Sequence, residues 1–217
     1  MNAETLTAAD ADRLQECVAG GGVAVFPTDT VYGVCCDPDS ERAVARLYEL
    51  KQYPSVDPRA RAPARPAAVM FFALERALEA LPALRPAEHA ALETLLPGPV
   101  TLLLPNREAR FAPACGPDPL TIGLRVPRLP DTLAALGSMG VPVMQSSANL
   151  SGQPDARTLA DVPAELLAGA DLVLDGGELV GVPSTVIDLR DYSSDGEWRV
   201  IREGALPIAA LRRLLAS

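Results

Sequence analysis

The sequence of 217 residues has only one histidine, and it contains neither of the common glycine-rich phosphate motifs. The missing GxxxxGK[ST] and GxGxxG patterns exclude a standard P-loop and a dinucleotide-binding fingerprint. His89 lies within RPAEHAALE, in the middle of a predicted helix, and we interpret it as a solvated surface residue. A Ser-His-Asp or Cys-His mechanism would need this histidine as its base, so hydrolase chemistry of that kind is disfavoured.

The four cysteines are not arranged for metal binding. No CxxC pair is present, and no histidine accompanies them, which disfavours a structural zinc site. We expect reduced thiols that pack as small hydrophobic side chains. They stand at positions 17, 35, 36 and 115.

Long apolar runs and positive net charge are also lacking. No window reaches about 18 uninterrupted apolar residues, and the N-terminal segment has no basic region followed by an apolar one, so we expect a soluble, cytoplasmic protein. The formal net charge is -9 and the isoelectric point is near 4.7. Because nucleic-acid binding depends mainly on cation release from phosphates, such a chain is unsuited to coating RNA, and any RNA contact would be local.

The chain does have enough apolar residues, 48%, to bury a full core, and we expect one domain spanning residues 1–217. Strand-like apolar runs alternate with amphipathic segments, which predicts an α/β fold with a twisted, mixed sheet and flanking helices. The predicted strands are 23–26, 67–72, 100–104, 121–126, 142–146, 171–175, 184–189 and 198–203. The predicted helices are 7–19, 41–51, 73–81, 86–96, 131–138, 159–168 and 208–216.

Clusters of hydroxyl, amide and charged residues follow or end several of these strands. They are PTDT at 27–30, GLR at 123–125, SSANLSG at 146–152 and PST at 183–185. Ligands of open α/β sheets bind where such connections converge, so the clusters predict a polar pocket. Its hydroxyl and amide groups, together with Lys51, Arg125 and Arg202, suit a nucleotide and a carboxylate, with catalysis by positioning and charge stabilisation.

Eight sequence blocks resemble, in order, the signature blocks of the YrdC-type threonylcarbamoyl-AMP synthases. The blocks are GGVAVFPTDTVYGVCCDP, a helix ending in LKQ with LLPGPVTLLLP after it, TIGLRVP, SSANLSGQP, DLVLDGG, GVPSTVIDL and VIREGALP, within about residues 8–206. The resemblance implies the short, single-domain YrdC-like form. It also implies condensation of L-threonine, bicarbonate and ATP to threonylcarbamoyl-AMP and pyrophosphate, with Mg²⁺ accompanying ATP. We assign no metal-ligating residue, and whether protein groups also hold the Mg²⁺ stays open.

The resemblance further implies partners and site residues. A separate transferase complex would receive the threonylcarbamoyl group for adenosine 37 of tRNA, with only weak or indirect contact between this chain and tRNA. Arg125 would clamp the threonine carboxylate, because a guanidinium matches a planar carboxylate. The implied threonine-binding residues are Thr28, Thr30, Arg125, Gln145 and Ser184. The implied ATP-binding residues are Lys51, Thr121, Ser147, Asn149 and Arg202, with Arg65 a further candidate, and the implied catalytic residues are Lys51, Arg125 and Ser147.

The sequence departs from the family pattern after Lys51. The family's K-x-R-P pattern has Tyr53 at its arginine position here, and a basic, proline-rich insertion occupies about 52–65. Three explanations stay open: an arginine at 59, 61 or 65 replaces the missing cation, Tyr53 itself contacts a ligand, or the enzyme is impaired. A tyrosine carries no charge, so the exchange matters at a phosphate site.

Two other functions are compatible with the fold. The first is a non-catalytic or impaired YrdC-like RNA-binding module, which the acidic net charge and the 4% aromatic content disfavour. The second is carbamoyl adenylation, as in the related domain of hydrogenase-maturation carbamoyltransferases, but the acylphosphatase-like and zinc-finger segments of those proteins are missing from this sequence.

Overall fold

The computed structural model of the chain describes residues 5–52 and 67–215. Nine strands of this part form one mixed sheet, in the order β7-β1-β2-β6-β3-β5-β4-β8-β9. Their bounds are β1 Ala24–Pro27, β2 Tyr32–Cys36, β3 Ala68–Met70, β4 Val100–Pro105, β5 Thr121–Arg125, β6 Val143–Ser147, β7 Leu172–Val173, β8 Thr185–Asp188 and β9 Arg199–Arg202. The mixed sheet confirms the predicted α/β class.

Helices flank the sheet and bury apolar stripes against it. Thr7 caps the first helix in a reciprocal capping box with Asp10, and Ser40 caps the second by accepting a hydrogen bond from Ala43 N at 3.2 Å. The helices are α1 Ala8–Ala19, α2 Glu41–Leu50, α3 Leu74–Ala80, α4 Pro86–Leu95, α5 Ala112–Cys115, α6 Ala164–Gly169, α7 Tyr192–Asp195 and α8 Ile208–Leu215. Within the described ranges, none of them has both the length and the apolarity needed to cross a membrane.

Several elements differ from the predictions, which also omitted the short helices α5 and α7. Strand β2 was not predicted, because YGVCC lacks the alternation of a half-buried strand: it lies between β1 and β6 and is buried along its whole length. The predicted helix at 131–138 is a 3₁₀ helix, Asp131–Ser138. The predicted helix at 159–168 is divided into a 3₁₀ turn, Leu159–Asp161, and α6, because Pro163 between them has no N–H for a continuous helix.

Strand alternation gives the middle of the sheet two different faces. Ile122 and Leu124 of β5 belong to the hydrophobic core, whereas Thr121, Gly123 and Arg125 line cavities. Strand β4 repeats the pattern, with its even-numbered leucines in the core and Thr101 and Leu103 at cavities. Successive side chains of a strand point to opposite faces, so one face of the sheet carries the polar groups.

The predicted packing of the cysteines and the predicted surface position of the histidine are confirmed. All four cysteines are free thiols, buried at 35 and 36 and half-buried at 17 and 115. Burial raises the pKa of the Cys36 thiol to about 12 and that of Cys115 to about 11, so both are protonated at neutral pH. His89 lies on α4 with its side chain 45% exposed, 3.4 Å from the carboxylate of Glu93.

Candidate active site

A polar pocket of about 440 Å³ lies on this face of the sheet. Strands β4, β5, β6, β8 and β9 contribute to its lining, together with the loop that follows β6. Six of the site residues predicted from the sequence line it: Arg125, Gln145, Ser147, Asn149, Ser184 and Arg202. Residues far apart in the sequence therefore meet around one cavity.

The guanidinium of Arg125 is the most deeply buried cation of the pocket, with 3% of the residue exposed. Its Nη2 donates to Asp29 Oδ1 at 2.5 Å and to Thr30 Oγ1 at 2.6 Å, and Nη1 lies 3.4 Å from Gln145 Oε1. Nε is buried and has no hydrogen-bond partner in the described part of the chain. Burial lowers the pKa of Arg125 and Asp29 opposes that change, but arginine stays charged at neutral pH in either case. The arginine therefore lines the pocket with a guanidinium that Asp29, Thr30 and Gln145 hold in place.

The turn between β1 and β2 orients this arginine. Thr28 Oγ1 donates to Val31 O at 2.7 Å and accepts from Thr30 N at 3.2 Å, so Thr28 holds the turn. Asp29 accepts from Arg125 and from the backbone N–H of Arg128, the latter at 3.0 Å. Neither Thr28 nor Thr30 lines the pocket, and Thr30 acts on it through Arg125.

The loop after β6 forms another wall of the pocket. Ser147 Oγ donates to Asn149 Oδ1 at 2.7 Å, and Asn149 Nδ2 donates to Gln153 O at 2.5 Å. Lys51 does not line the pocket. Its ammonium donates to Ser146 Oγ at 2.9 Å, to Ser147 O, and to Asn149 Oδ1 at 3.3 Å. Lys51 is thus joined to the wall of the pocket rather than to its open space.

Ser184 and Arg202 are joined on the opposite side. Arg202 Nη2 donates to Ser184 O at 2.8 Å and lies 3.4 Å from Ser184 Oγ. The Ser184 hydroxyl also lies 2.8 Å from Thr101 Oγ1, and both hydroxyls are buried. Thr101 was not among the predicted site residues, although a lone polar residue within the apolar strand VTLLL is a signal that could have identified it.

Thr121 is the predicted site residue that lies apart. It lines a separate cavity of about 150 Å³, together with Ala67, Leu103, Cys115 and Gly123 among others. Thr121 and Arg125 nevertheless point to the same face of β5, four residues apart, so the two cavities follow each other along that strand. The structure does not bring Thr121 into the larger pocket.

Some predictions fall on residues for which no structure is described. The residues on which the three explanations for the altered K-x-R-P pattern depend lie outside the described residues: Tyr53, Arg59, Arg61 and Arg65.

Carboxylates are scarce in the larger pocket. Asp155 is the single acidic residue among the described residues that line it. Across residues 5–52 and 67–215, no group of three or more His, Cys, Asp or Glu side chains is arranged to hold a metal ion. Mg²⁺ commonly binds through substrate phosphates with only one or two carboxylates, so the pocket is compatible with a Mg²⁺ ion that arrives on a nucleotide.

Comparisons with known proteins give one family. The family model Sua5_yciO_yrdC, described as "Telomere recombination", matches residues 16–204. The threonylcarbamoyl-AMP synthase of Xanthomonas axonopodis pv. citri is 35% identical over 169 residues, which cover 77% of this chain and 86% of the relative. That of Chromohalobacter salexigens is 34% identical over 185 residues, covering 83% of this chain and 94% of the relative.

A solved structure agrees with the sequence relatives. The crystal structure of Pyrococcus abyssi Sua5 complexed with L-threonine superposes with a TM-score of 0.81 at 28% sequence identity. The match covers 97% of this chain and 58% of that protein, so this chain corresponds to somewhat more than half of the archaeal one.

Proposed function

The chain belongs to the Sua5/YciO/YrdC family, and from that membership we propose that it is a threonylcarbamoyl-AMP synthase. The enzyme condenses L-threonine, bicarbonate and ATP to threonylcarbamoyl-AMP and pyrophosphate. Its product supplies the threonylcarbamoyl group for modification of tRNA, and we place the reaction in the cytoplasm, where ATP and free threonine are available. A separate transferase receives the activated group, so tRNA does not need to bind this chain.

The observation that carries the proposal is the pairing of two different binding surfaces in one pocket. One side has the buried guanidinium of Arg125 with an unpaired Nε. The other has the hydroxyl and amide groups of Ser147 and Asn149, and Arg202 adds a second cation. A guanidinium suits a carboxylate, and converging donors and cations suit phosphates, so the pocket can hold an amino acid beside a nucleotide.

We assign the threonine to the Arg125 side. Its carboxylate binds the guanidinium, which Asp29 and Thr30 orient, while Gln145 and Ser184 contact the remainder of the amino acid. Thr28 contributes by holding the turn that presents Thr30. The carboxylate thereby gains a charge-assisted hydrogen bond.

We assign the nucleotide to the groove along β5. Ser147, Asn149 and Arg202 contact the phosphates, and the nucleoside extends toward the cavity at Thr121. Four residues of strand span roughly 13 Å, which suits the distance from a nucleobase to the phosphates of an extended nucleotide. Both substrates would then lie on one face of the sheet.

The pocket supplies positioning and charge stabilisation. The amine of threonine reacts with bicarbonate to give a carbamate and water, and a carbamate oxygen attacks the α-phosphorus of ATP. A new P–O bond forms as the bond to pyrophosphate breaks, so negative charge builds up on the leaving oxygens. Arg202 and the donors of the 146–153 loop stabilise that charge, and Mg²⁺ enters with ATP as part of the substrate.

A direct assay tests the proposed function. Purified protein, ATP, Mg²⁺ and bicarbonate should release pyrophosphate only when L-threonine is added, and mass spectrometry should detect threonylcarbamoyl-AMP. Arg125→Met should abolish the threonine-dependent signal, while Arg76→Met on the exposed surface of α3 should leave it unchanged. Pyrophosphate release without threonine, or salt-sensitive tRNA binding without any turnover, would overturn the proposal.

A further inference from the structure

Tyr32 is the first residue of β2, directly after the turn that holds Thr28 and Thr30, and it is fully buried. It was not among the predicted site residues, and it is not one of the described residues that line the larger pocket. Its hydroxyl nevertheless lies within hydrogen-bonding distance of three polar atoms. A buried hydroxyl with three such neighbours does more than fill the core.

All three polar atoms belong to the connection between β7 and β8. The hydroxyl lies 2.8 Å from Asp175 Oδ1 and 2.9 Å from Gly177 O, and it accepts a hydrogen bond from Gly176 N at 3.0 Å. Its single proton can be donated to either acceptor. Burial, with Asp175 beside it, raises the pKa of Tyr32, so the hydroxyl keeps that proton at neutral pH. One side chain thus fixes the start of the connection.

The same connection returns to the turn a few residues later. Gly181 N donates to Thr30 O at 2.8 Å. At Gly176, an added Cβ would lie 2.6 Å from Pro27 Cγ, so the backbone of the connection packs directly on the residue that precedes the turn. The 175–181 segment therefore contacts the turn and its flanking residues at three points. These points are Pro27, Thr30 and Tyr32.

Gly181 makes its contact in a backbone conformation that favours glycine. Its φ angle is +78°, and an added Cβ would lie 2.2 Å from Arg157 Cγ, so a side chain has no room there. Leu179 N also donates to Arg157 O at 2.9 Å, which holds the segment on its other side. A short segment that is fixed at both ends has little freedom to adjust, so a loss of restraint at one end should reach the other.

Thr30 connects the segment to the pocket. Its carbonyl accepts from Gly181, its N–H donates to Thr28 Oγ1 at 3.2 Å, and its hydroxyl accepts from Arg125 Nη2 at 2.6 Å. The guanidinium of Arg125 is the group to which we assign the threonine carboxylate. A continuous series of contacts therefore leads from the Tyr32 hydroxyl to that guanidinium.

We propose that Tyr32 is a positioning residue for threonine: through the 175–181 segment, its hydroxyl holds the backbone of Thr30 and thereby the orientation of Arg125. The inference rests on the proposed function for the identity of the ligand. It assigns no contact between Tyr32 and either substrate. Binding of threonine should depend on the hydroxyl, whereas binding of ATP should not.

Tyr32→Phe removes the hydroxyl and leaves the backbone contacts of residue 32 in place. These contacts are to Ala156 O at 3.0 Å and from Ala148 N at 2.8 Å. We expect the KM for threonine to rise by about 5-fold, as for the loss of one hydrogen bond, while kcat and the KM for ATP stay within about 2-fold. Steady-state release of pyrophosphate, with each substrate varied in turn, measures these constants. Tyr192→Phe, on α7, is the matched control and should change neither KM.

The two KM values decide between positioning and general support of the fold. An equal rise in both would show general support and would overturn the inference, as would an unchanged KM for threonine. Asp175→Ala removes the exposed acceptor from the other side of the contact and should raise the KM for threonine by about 3-fold. The double variant should stay within about 2-fold of Tyr32→Phe alone. Effects that multiply would mean that the two groups act independently, contrary to the inference.

Amide hydrogen exchange tests the segment without any turnover. In protein labelled with ¹⁵N-glycine, the amides of Gly176 and Gly181 should exchange about 5-fold faster in Tyr32→Phe than in the original protein. Gly98, whose amide donates to Val126 O at 3.0 Å, is the internal reference and should keep its rate. Faster exchange at Gly176 alone would show that the effect stops before Thr30 and would contradict the inference.

The exchange rates also separate failure of the inference from failure of the proposed function. If the original protein releases no pyrophosphate in response to threonine, the proposed function fails, but the exchange rates still report whether the hydroxyl holds the segment. Unchanged exchange at both glycines overturns the inference even when turnover is normal. If Tyr32→Phe does not fold, Asp175→Ala gives the same two measurements from an exposed position.

Discussion

Arg125 Nη2 lies 2.5 Å from Asp29 Oδ1, in a buried ion pair between residues that are 96 positions apart in the sequence. The carboxylate offsets the charge of the guanidinium and fixes its rotation, while Nε stays unpaired. The other carboxylate oxygen of Asp29 accepts from the backbone N–H of Arg128, so Asp29 is itself held in place. The pair thus prepares the arginine for a ligand before the ligand binds.

Substitution of Asp29 should therefore affect threonine more than ATP. We expect Asp29→Ala to raise the KM for threonine by about 10-fold or more, since the guanidinium loses a charged partner worth about 1.5–3 kcal/mol. Asp29→Asn keeps an acceptor oxygen and should have a smaller effect. Steady-state kinetics with each substrate varied in turn gives both KM values.

Asp12→Ala, on the exposed surface of α1, is the matched control for Asp29 and should change neither KM. Equal increases in both KM values for Asp29→Ala would show a general loss of structure. An unchanged KM for threonine would show that the ion pair does not prepare the arginine.

The hydroxyls of Thr101 and Ser184 should help to select threonine. They lie 2.8 Å apart, and only one of the two protons can lie between them, so the second hydroxyl keeps a donor for a ligand. Valine lacks the threonine hydroxyl and would leave this buried donor unpaired. The site therefore disfavours valine. We expect Thr101→Val to reduce the preference for threonine over valine by about 10-fold.

Competition assays of adenylate formation with the two amino acids measure this preference. Thr94→Val serves as the control, because Thr94 is an exposed residue of α4 whose hydroxyl bonds to Ala90 O within the same helix. If Thr101→Val slows the reaction but keeps the ratio of threonine to valine, the hydroxyl pair has a structural role only.

The individual strands and residues of this site could be predicted from the sequence, but the contacts between distant residues could not. The strand at TIGLRV was predicted, and strand geometry alone puts Thr121 and Arg125 on one face of β5. The contact between Asp29 and Arg125 depends on the order of strands in the sheet, which local patterns do not contain. The same holds for the contact of Lys51 with the 146–149 loop, because only the tertiary structure brings these distant residues together.

A buried carboxylate away from the pocket should matter for stability. Glu88 on α4 is fully buried and accepts from both terminal nitrogens of Arg107, at 2.8 and 2.6 Å, and from Ser193 Oγ at 2.8 Å. Arg107→Met would leave this charge without its main partner. We expect a loss of about 2 kcal/mol in the free energy of unfolding, less than for a fully buried pair because Arg107 is 30% exposed.

The pH dependence gives this prediction a second test. Burial opposes ionisation of Glu88, but the hydrogen bonds from Arg107, the Arg85 N–H and Ser193 outweigh it and lower the pKa of Glu88 below its ordinary value of 4.5. The stabilisation is therefore present above pH 4.5 and is lost as the pH falls through the lowered pKa. Urea denaturation should show a difference between Arg107→Met and the original protein that shrinks in acid.

Arg76→Met removes an exposed ion pair with Glu79 and provides the comparison for Arg107. It should change the free energy of unfolding by less than about 1 kcal/mol at every pH, as expected for surface pairs. If both variants behaved alike, the Glu88 cluster would contribute no more than a surface ion pair.

Cys115 offers a test of where the nucleotide lies, because its thiol lines the small cavity beside Thr121. Burial, the main cause, raises the pKa of Cys115 to about 11, so alkylation of the native protein should be slow at pH 8 and should quicken as the pH rises toward that value. If the nucleoside occupies this cavity, ATP should slow alkylation of Cys115 by about 10-fold or more when it is saturating, and AMP should do the same.

Cys17 is also half-buried but lies at a different surface cavity, beside Arg13 and Arg46, and serves as the internal control. Mass spectrometry of peptides after timed labelling reports the two thiols in one experiment. Protection of both thiols to the same extent would indicate a general tightening of the fold, and protection by pyrophosphate without AMP would place the nucleoside elsewhere.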